Sequence, residues 1–103
     1  MKELQEKIKK FCQEHNLESP AEFRILDTMS ELGEVAKEIL KMSDYGRKPL
    51  KYRGELKSEL GDLLYSIVTI ANSFDVDLED ALNVVLEKYK KRLNHGSAGS
   101  END

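Results

Sequence analysis

Two short phrases set carboxylates at a spacing that can do chemistry: Ser30-Glu31-Leu32-Gly33-Glu34 and, 28 residues on, Ser58-Glu59-Leu60-Gly61-Asp62. On a helix, residues three apart sit on neighbouring turns of one face. At about 100° per residue, Asp27, Glu31, Glu34 and Glu38 share one narrow arc, and Glu55, Glu59 and Asp62 share a second. Like charges at this spacing repel by about 0.2–0.5 kcal/mol per pair on an exposed helix. Two such arcs facing each other repel more, so the pattern calls for a cation. Donors that are all oxygen select a hard one: magnesium takes octahedral oxygen at about 2.1 Å and keeps several waters, binding through a few carboxylates and substrate phosphates. A di-iron centre needs histidine three residues after a glutamate, and zinc prefers nitrogen and sulfur. Glu34 and Asp62 stand in those places, and His15 and His95 are remote from both phrases.

The elements that must position these acids are helices. Leu4, Ile8, Phe11, Cys12 and His15 recur at helical spacing and predict an amphipathic helix over Lys2 to His15. Cys12 reads as a small buried hydrophobe, and His15 as a cap or cation at the carbonyl end. Ser19-Pro20-Ala21-Glu22 predicts a helix start, with Ser19 as N-cap, Pro20 at the first helical position and Glu22 closing a capping box. From there Ile25, Leu26, Met29, Leu32, Val35, Ala36, Ile39 and Leu40 cover about half the circumference of a helix ending near Met42, with the acids along its edge. Gly33 falls in that apolar face, where a missing side chain would let another helix come close.

A third helix carries Leu56, Leu60, Leu63, Ile67, Ile70 and Phe74, widened by Leu64, Val68 and Ala71. Its polar strip changes along its length: after Glu55, Glu59 and Asp62 it continues as Ser66, Thr69 and Ser73. A strip kept only for solubility has no reason to lose its charge halfway. Asp75 to Asp80 is acidic, but Asp80 and Leu86 occupy the places where a calcium loop needs glycine and glutamate, so an EF-hand is rejected. Asp77 is the expected N-cap of a last helix packing Ala81, Leu82, Val85, Leu86 and Tyr89.

Two basic stretches accompany the acids. The connection Ser43 to Gly54, broken by Gly46, Pro49 and Gly54, carries Arg47, Lys48, Lys51 and Arg53 beside two tyrosines. It reads either as a solvated linker or as a mobile flap that reaches for phosphates. Lys88, Lys91 and Arg92 load the end of the last helix, where they also suit its dipole.

Length and composition bound the rest. With 103 residues, 39% hydrophobic and 35% charged, and two prolines, the chain reads as one all-α, helix-rich domain over 1–95, followed by a disordered polar tail over 96–103. No apolar run spans a membrane, and the amino terminus lacks a signal pattern, so a cytoplasmic protein is expected. One cysteine excludes an internal disulfide, and a net charge of −4 disfavours nucleic acid as a partner. The second and third helices carry more apolar surface than a four-helix chain covers, which predicts self-association.

At Glu31-Leu32-Gly33-Glu34 and Glu59-Leu60-Gly61-Asp62, followed by Leu63-Leu64-Tyr65-Ser66-Ile67-Val68 and Ile70-Ala71-Asn72, the sequence resembles the MazG-like nucleotide pyrophosphohydrolases of the all-α NTP pyrophosphohydrolase superfamily. The likeness runs from about Leu4 to Arg92. It implies a four-helix bundle-like fold completed by a homodimer or homotetramer. It also implies magnesium on Glu31, Glu34, Glu59 and Asp62, and cleavage of a nucleoside triphosphate between its α and β phosphates to a monophosphate and pyrophosphate. Glu31 or Glu34 would serve as base, and Lys88, Lys91 and Arg92 would hold phosphates with Arg47, Lys48, Lys51 and Arg53 of the flap. Ser66 stands where deoxycytidine-selective members carry an aromatic, and the chain has no tryptophan, so the base is left open. The alternatives are a phosphoribosyl-ATP pyrophosphohydrolase, whose Asp-Leu-Leu-Tyr is matched by Asp62 to Tyr65, and a non-catalytic helical interaction module.

Overall fold

A computed structural model of the chain describes residues 1–96, which form four helices and no strand: α1 (Lys2–Glu14), α2 (Ala21–Met42), α3 (Glu55–Ser73) and α4 (Leu78–Asn94). The expected tail lies, beyond Gly96, outside the described residues. No helix among them is long and apolar enough to cross a membrane. The extensive contact is between α2 and α3, with α1 laid against α3. α4 adds only slight contacts, and the radius of gyration is 17.0 Å, where a compact chain of about 100 residues has about 13 Å.

Side-chain partners fix the register. Arg53, just before α3, meets Glu38 on α2, while Glu31 meets Glu59 and Asp62. Lower numbers on α2 thus pair with higher numbers on α3, as in an antiparallel hairpin. α1 is pinned antiparallel to α3 by Cys12 Sγ, 3.1 Å from Tyr65 Oη, and by a polar clasp at Gln5. The Gln5 amide donates to Asn72 Oδ1 (3.1 Å) and the Val76 carbonyl (2.8 Å) and accepts from the Leu78 amide (2.9 Å), while Asn72 returns a bond to the Gln5 carbonyl. Burial and the Cys12 contact push the Tyr65 phenol above its ordinary range.

The face that α2 turns inward is half polar. Its buried residues are Arg24, Val35, Glu38 and Met42, and those of α3 are Ser66, Val68, Thr69 and Ala71. The polar strip of α3 that outlasts its acids is therefore the seam between the two helices. Of the apolar residues expected to form a core, Val35, Val68 and Ala71 are buried, whereas Leu26, Met29 and Leu32 of α2 are 61, 66 and 56% exposed, and Leu60, Leu64 and Ile67 of α3 are also exposed.

Two local expectations are corrected. The N-cap of α2 is Pro20 with no side-chain cap bond, so Ser19 does not cap and Glu22 closes no box. The reason is conformational: Pro20 sits at φ −58°, ψ 147°, extended and one residue outside the helix. The glycines of the two phrases mark no close approach within the chain, for a Cβ on Gly33 or Gly61 would meet no atom within 4 Å. The expected caps elsewhere hold, with Asp77 accepting from the Glu79 and Asp80 amides and His15 ending α1 against the Phe11 ring at 4.5 Å. Cys12 is buried, as its apolar stripe requires.

Candidate metal centre

Glu31 lies on α2, on the face that meets α3, and Glu59 and Asp62 approach it from one turn of the amino-terminal half of α3. Carboxylate oxygens of the three lie within 4.8 Å of one another. Such a gathering raises the energy of every charged form. Burial first, then the charges of Asp62, Glu59, Glu34 and Asp27 in that order, push the Glu31 carboxyl above its ordinary range. Two causes therefore act together, desolvation and like charge, and no basic side chain acts on Glu31 against them. A hard divalent cation matches this donor set: three convergent carboxylates, all oxygen, with Glu59 and Glu31 half-buried and Asp62 open to solvent.

Glu34 is the fourth member of the predicted set. It stays outside the convergent trio and is exposed, yet lies close enough to raise Glu31. The outer acids of the two arcs are diverted by a partner that spacing did not supply. Arg53 Nε donates to Glu38 Oε1 at 2.5 Å and Arg53 Nη2 to Glu55 Oε2 at 3.1 Å, and Glu38 is buried. The guanidinium thus spans α2 and the start of α3 and neutralises one end of both acid strips, away from Glu31, Glu59 and Asp62.

The other predicted phosphate ligands fall in two groups. In the α2–α3 connection Arg47 reaches Asp44 at 3.8 Å on the surface, and Lys48 and Lys51 are exposed. The connection is tied at both ends, by the Lys51 amide on the Met42 carbonyl and by Arg53. On α4, Lys88 and Arg92 lie over the Tyr89 ring at 5.8 and 5.5 Å, Arg92 buried and Lys91 exposed. Among the described residues α4 has no extensive packing on α2 or α3.

Sequence reasoning missed Arg24 and the acid-pairing role of Arg53. Arg24 stands seven and fourteen residues before Glu31 and Glu38, a helical repeat that marks it as part of the inward strip. In the sequence Arg53 is one charge among four in the connection between the acidic phrases.

These features define a class, an all-α protein built on an antiparallel helix pair with a carboxylate cluster across it. The model of the MazG nucleotide pyrophosphohydrolase domain matches residues 21–97, and the chain belongs to that family of enzymes. YpjD of Bacillus subtilis (strain 168) is 43% identical over 65 residues, which are 60% of this chain and 57% of that protein, so the chain spans little more than half its length. Among solved structures, the Bacillus-conserved MazG protein, a nucleotide pyrophosphohydrolase, is 27% identical over 85% of this chain and 86% of its own, with a TM-score of 0.72. YPJD from Bacillus subtilis is 33% identical over 89% of this chain and 94% of its own, with a TM-score of 0.71.

Proposed function

We propose that the chain is a magnesium-dependent nucleoside triphosphate pyrophosphohydrolase, cutting (d)NTPs to (d)NMP and pyrophosphate in the service of the nucleotide pool. The observation that carries this reading is the convergent carboxylate cluster of Glu31, Glu59 and Asp62, with the Glu31 carboxyl raised, in a member of a nucleotide pyrophosphohydrolase family. Glu31, Glu59 and Asp62 would hold the cation, with Glu34 beside them; when bound, it supplies neutralisation of phosphate oxygens and acidification of a water. The chain's own contributions follow from its geometry. The trio fixes where phosphate oxygens collect, and Arg53 keeps Glu38 and Glu55 from competing for that charge. Glu34, adjacent but outside the trio and open to solvent, is the carboxylate we assign to accept the proton of the attacking water.

The same reading includes a homodimer or homotetramer. Its support is the exposure of Leu26, Met29 and Leu32 on α2 and of Leu60, Leu64 and Ile67 on α3, apolar surface of the kind that marks an interaction site where it is contiguous. Residues 1–95 act as one domain in this account, and the protein works in the cytoplasm.

The test is pyrophosphate release from a panel of NTPs and dNTPs with magnesium, by the wild type and by Glu34→Gln and Asp62→Asn. Turnover by the wild type and its loss in both variants is expected. No turnover of any nucleotide together with no magnesium binding would sink the proposal in favour of a helical interaction module.

A further inference from the structure

Away from the carboxylates, α1, the α1–α2 connection and the far end of the α2–α3 seam enclose an open pocket of about 140 Å³. That is room for roughly four or five waters at about 30 Å³ each. Arg24 lines it and is 92% buried, being 8% exposed. A buried guanidinium stays charged, and its desolvation is normally offset by a carboxylate. Arg24 has none: among the described residues no acid lies within ion-pair distance of it, and its partners are neutral, the Leu17 carbonyl and the Tyr65 hydroxyl.

The surroundings are those of a receptor for an anion. Lys9 adds a second positive charge to the wall, Glu18 one negative charge, and Gln13 and Ser19 further donors. Ser19 lies one residue before Pro20, the N-cap of α2, a 22-residue helix with no side-chain cap, whose first-turn amides and positive dipole end favour negative charge. The Thr69 and Ser73 hydroxyls have spent their protons on the carbonyls of Ser66 and Thr69, and both ends of the Asn72 amide are held by Gln5. The free hydrogen-bonding capacity for an anion is therefore on the Arg24, Lys9, Gln13 and Ser19 side.

We propose that this pocket is a second binding site, one that takes a phosphate group through Arg24 and Lys9 at the uncapped start of α2, apart from the carboxylate centre. The guanidinium offers a planar fork, the ammonium a mobile point charge, and Ser19 an adjacent hydroxyl, a donor set suited to a tetrahedral oxyanion. The site needs no divalent cation and stands whether or not the carboxylates hydrolyse nucleotides. Free inorganic phosphate and the phosphate of a nucleoside monophosphate share this chemistry.

The experiment is a ¹H–¹⁵N titration of the full chain, stripped of metal on a chelating resin and held at constant ionic strength. Inorganic phosphate is added in one arm and a nucleoside monophosphate in the other. Saturable shifts at Gln13, Ser19, Ala21, Glu22 and the Arg24 side chain are expected, and the arm that saturates at lower concentration identifies the source. Arg24→Gln should weaken binding roughly tenfold to a hundredfold, the range of a charge-assisted hydrogen bond. Lys9→Gln, at an exposed position that does not threaten folding, should weaken it by up to about fivefold. No saturable shift in either arm, shifts confined to residues outside the pocket, or equal affinity in Lys9→Gln would overturn the site. Because no metal is present, none of these outcomes depends on the hydrolytic reading.

Discussion

Met29→Ala separates a chain that stands alone from one whose outer face is covered. Met29 lies on α2 opposite the seam and is 66% exposed. In an isolated chain, truncating so exposed a side chain changes stability by no more than about 0.5 kcal/mol. If a second copy covers it, the remaining two-thirds of the residue is buried on association. Full burial of a methionine is worth about 1.5–3 kcal/mol, so the loss is about 1–2 kcal/mol per copy. A two-fold interface contains the residue twice, which gives about 2–4 kcal/mol per dimer. At about 1.4 kcal/mol per decade, the dimer dissociation constant rises about 30- to 1,000-fold. Sedimentation velocity over a dilution series reads this directly, and circular dichroism of the diluted variant checks that the helices persist. A wild type that sediments as a monomer at every concentration, or a variant with the wild-type dissociation constant, would refute the reasoning.

Other substitutions probe the seam and the clasp. For Glu31→Gln the sign follows from the raised carboxyl: in the metal-free protein, Glu31's contribution is fully present below the ordinary glutamate pKa of about 4.3 and is lost as pH rises through its folded value. The metal-free variant should therefore melt above the wild type at neutral pH, magnesium should raise the wild type more than the variant, and scanning calorimetry at several pH values with and without magnesium measures both. Gln5→Ala removes three side-chain bonds that join α1 to Asn72, Val76 and Leu78; at about 1 kcal/mol each, urea denaturation should register a loss of about 2–4 kcal/mol. Gly61→Ala meets no atom, so it should gain about 1 kcal/mol of helix propensity and raise the melting temperature by about 4–8 °C; a fall would mean the space is occupied in the assembled protein.

What could be read from the sequence was what repeats locally. The four helices follow from periodicity and from Asp77 and His15 at their ends, and the carboxylate trio follows from the three-residue spacing in the two phrases. What could not be read depends on which face turns inward. The stripe of Leu26, Met29 and Leu32 looks like a core by composition, but Arg24 and Glu38, each about 20° from Glu31 around the helix, are the buried residues on the face toward α3. The capacity of Arg53 to claim Glu38 and Glu55 follows from the register of the hairpin, which no local pattern encodes. The pocket at Arg24 needs three segments brought together, which no local pattern around Cys12, Ser19 or Thr69 encodes.

If the carboxylate cluster acts as proposed, hydrolysis falls on the bond between the α and β phosphates. Phosphorus NMR of a nucleoside triphosphate turned over by the wild-type protein with magnesium identifies the broken bond from the products. Monophosphate and pyrophosphate, formed by the wild type and not by Asp62→Asn, are the predicted result. Diphosphate with inorganic phosphate, or a rate unchanged in Asp62→Asn, would contradict it.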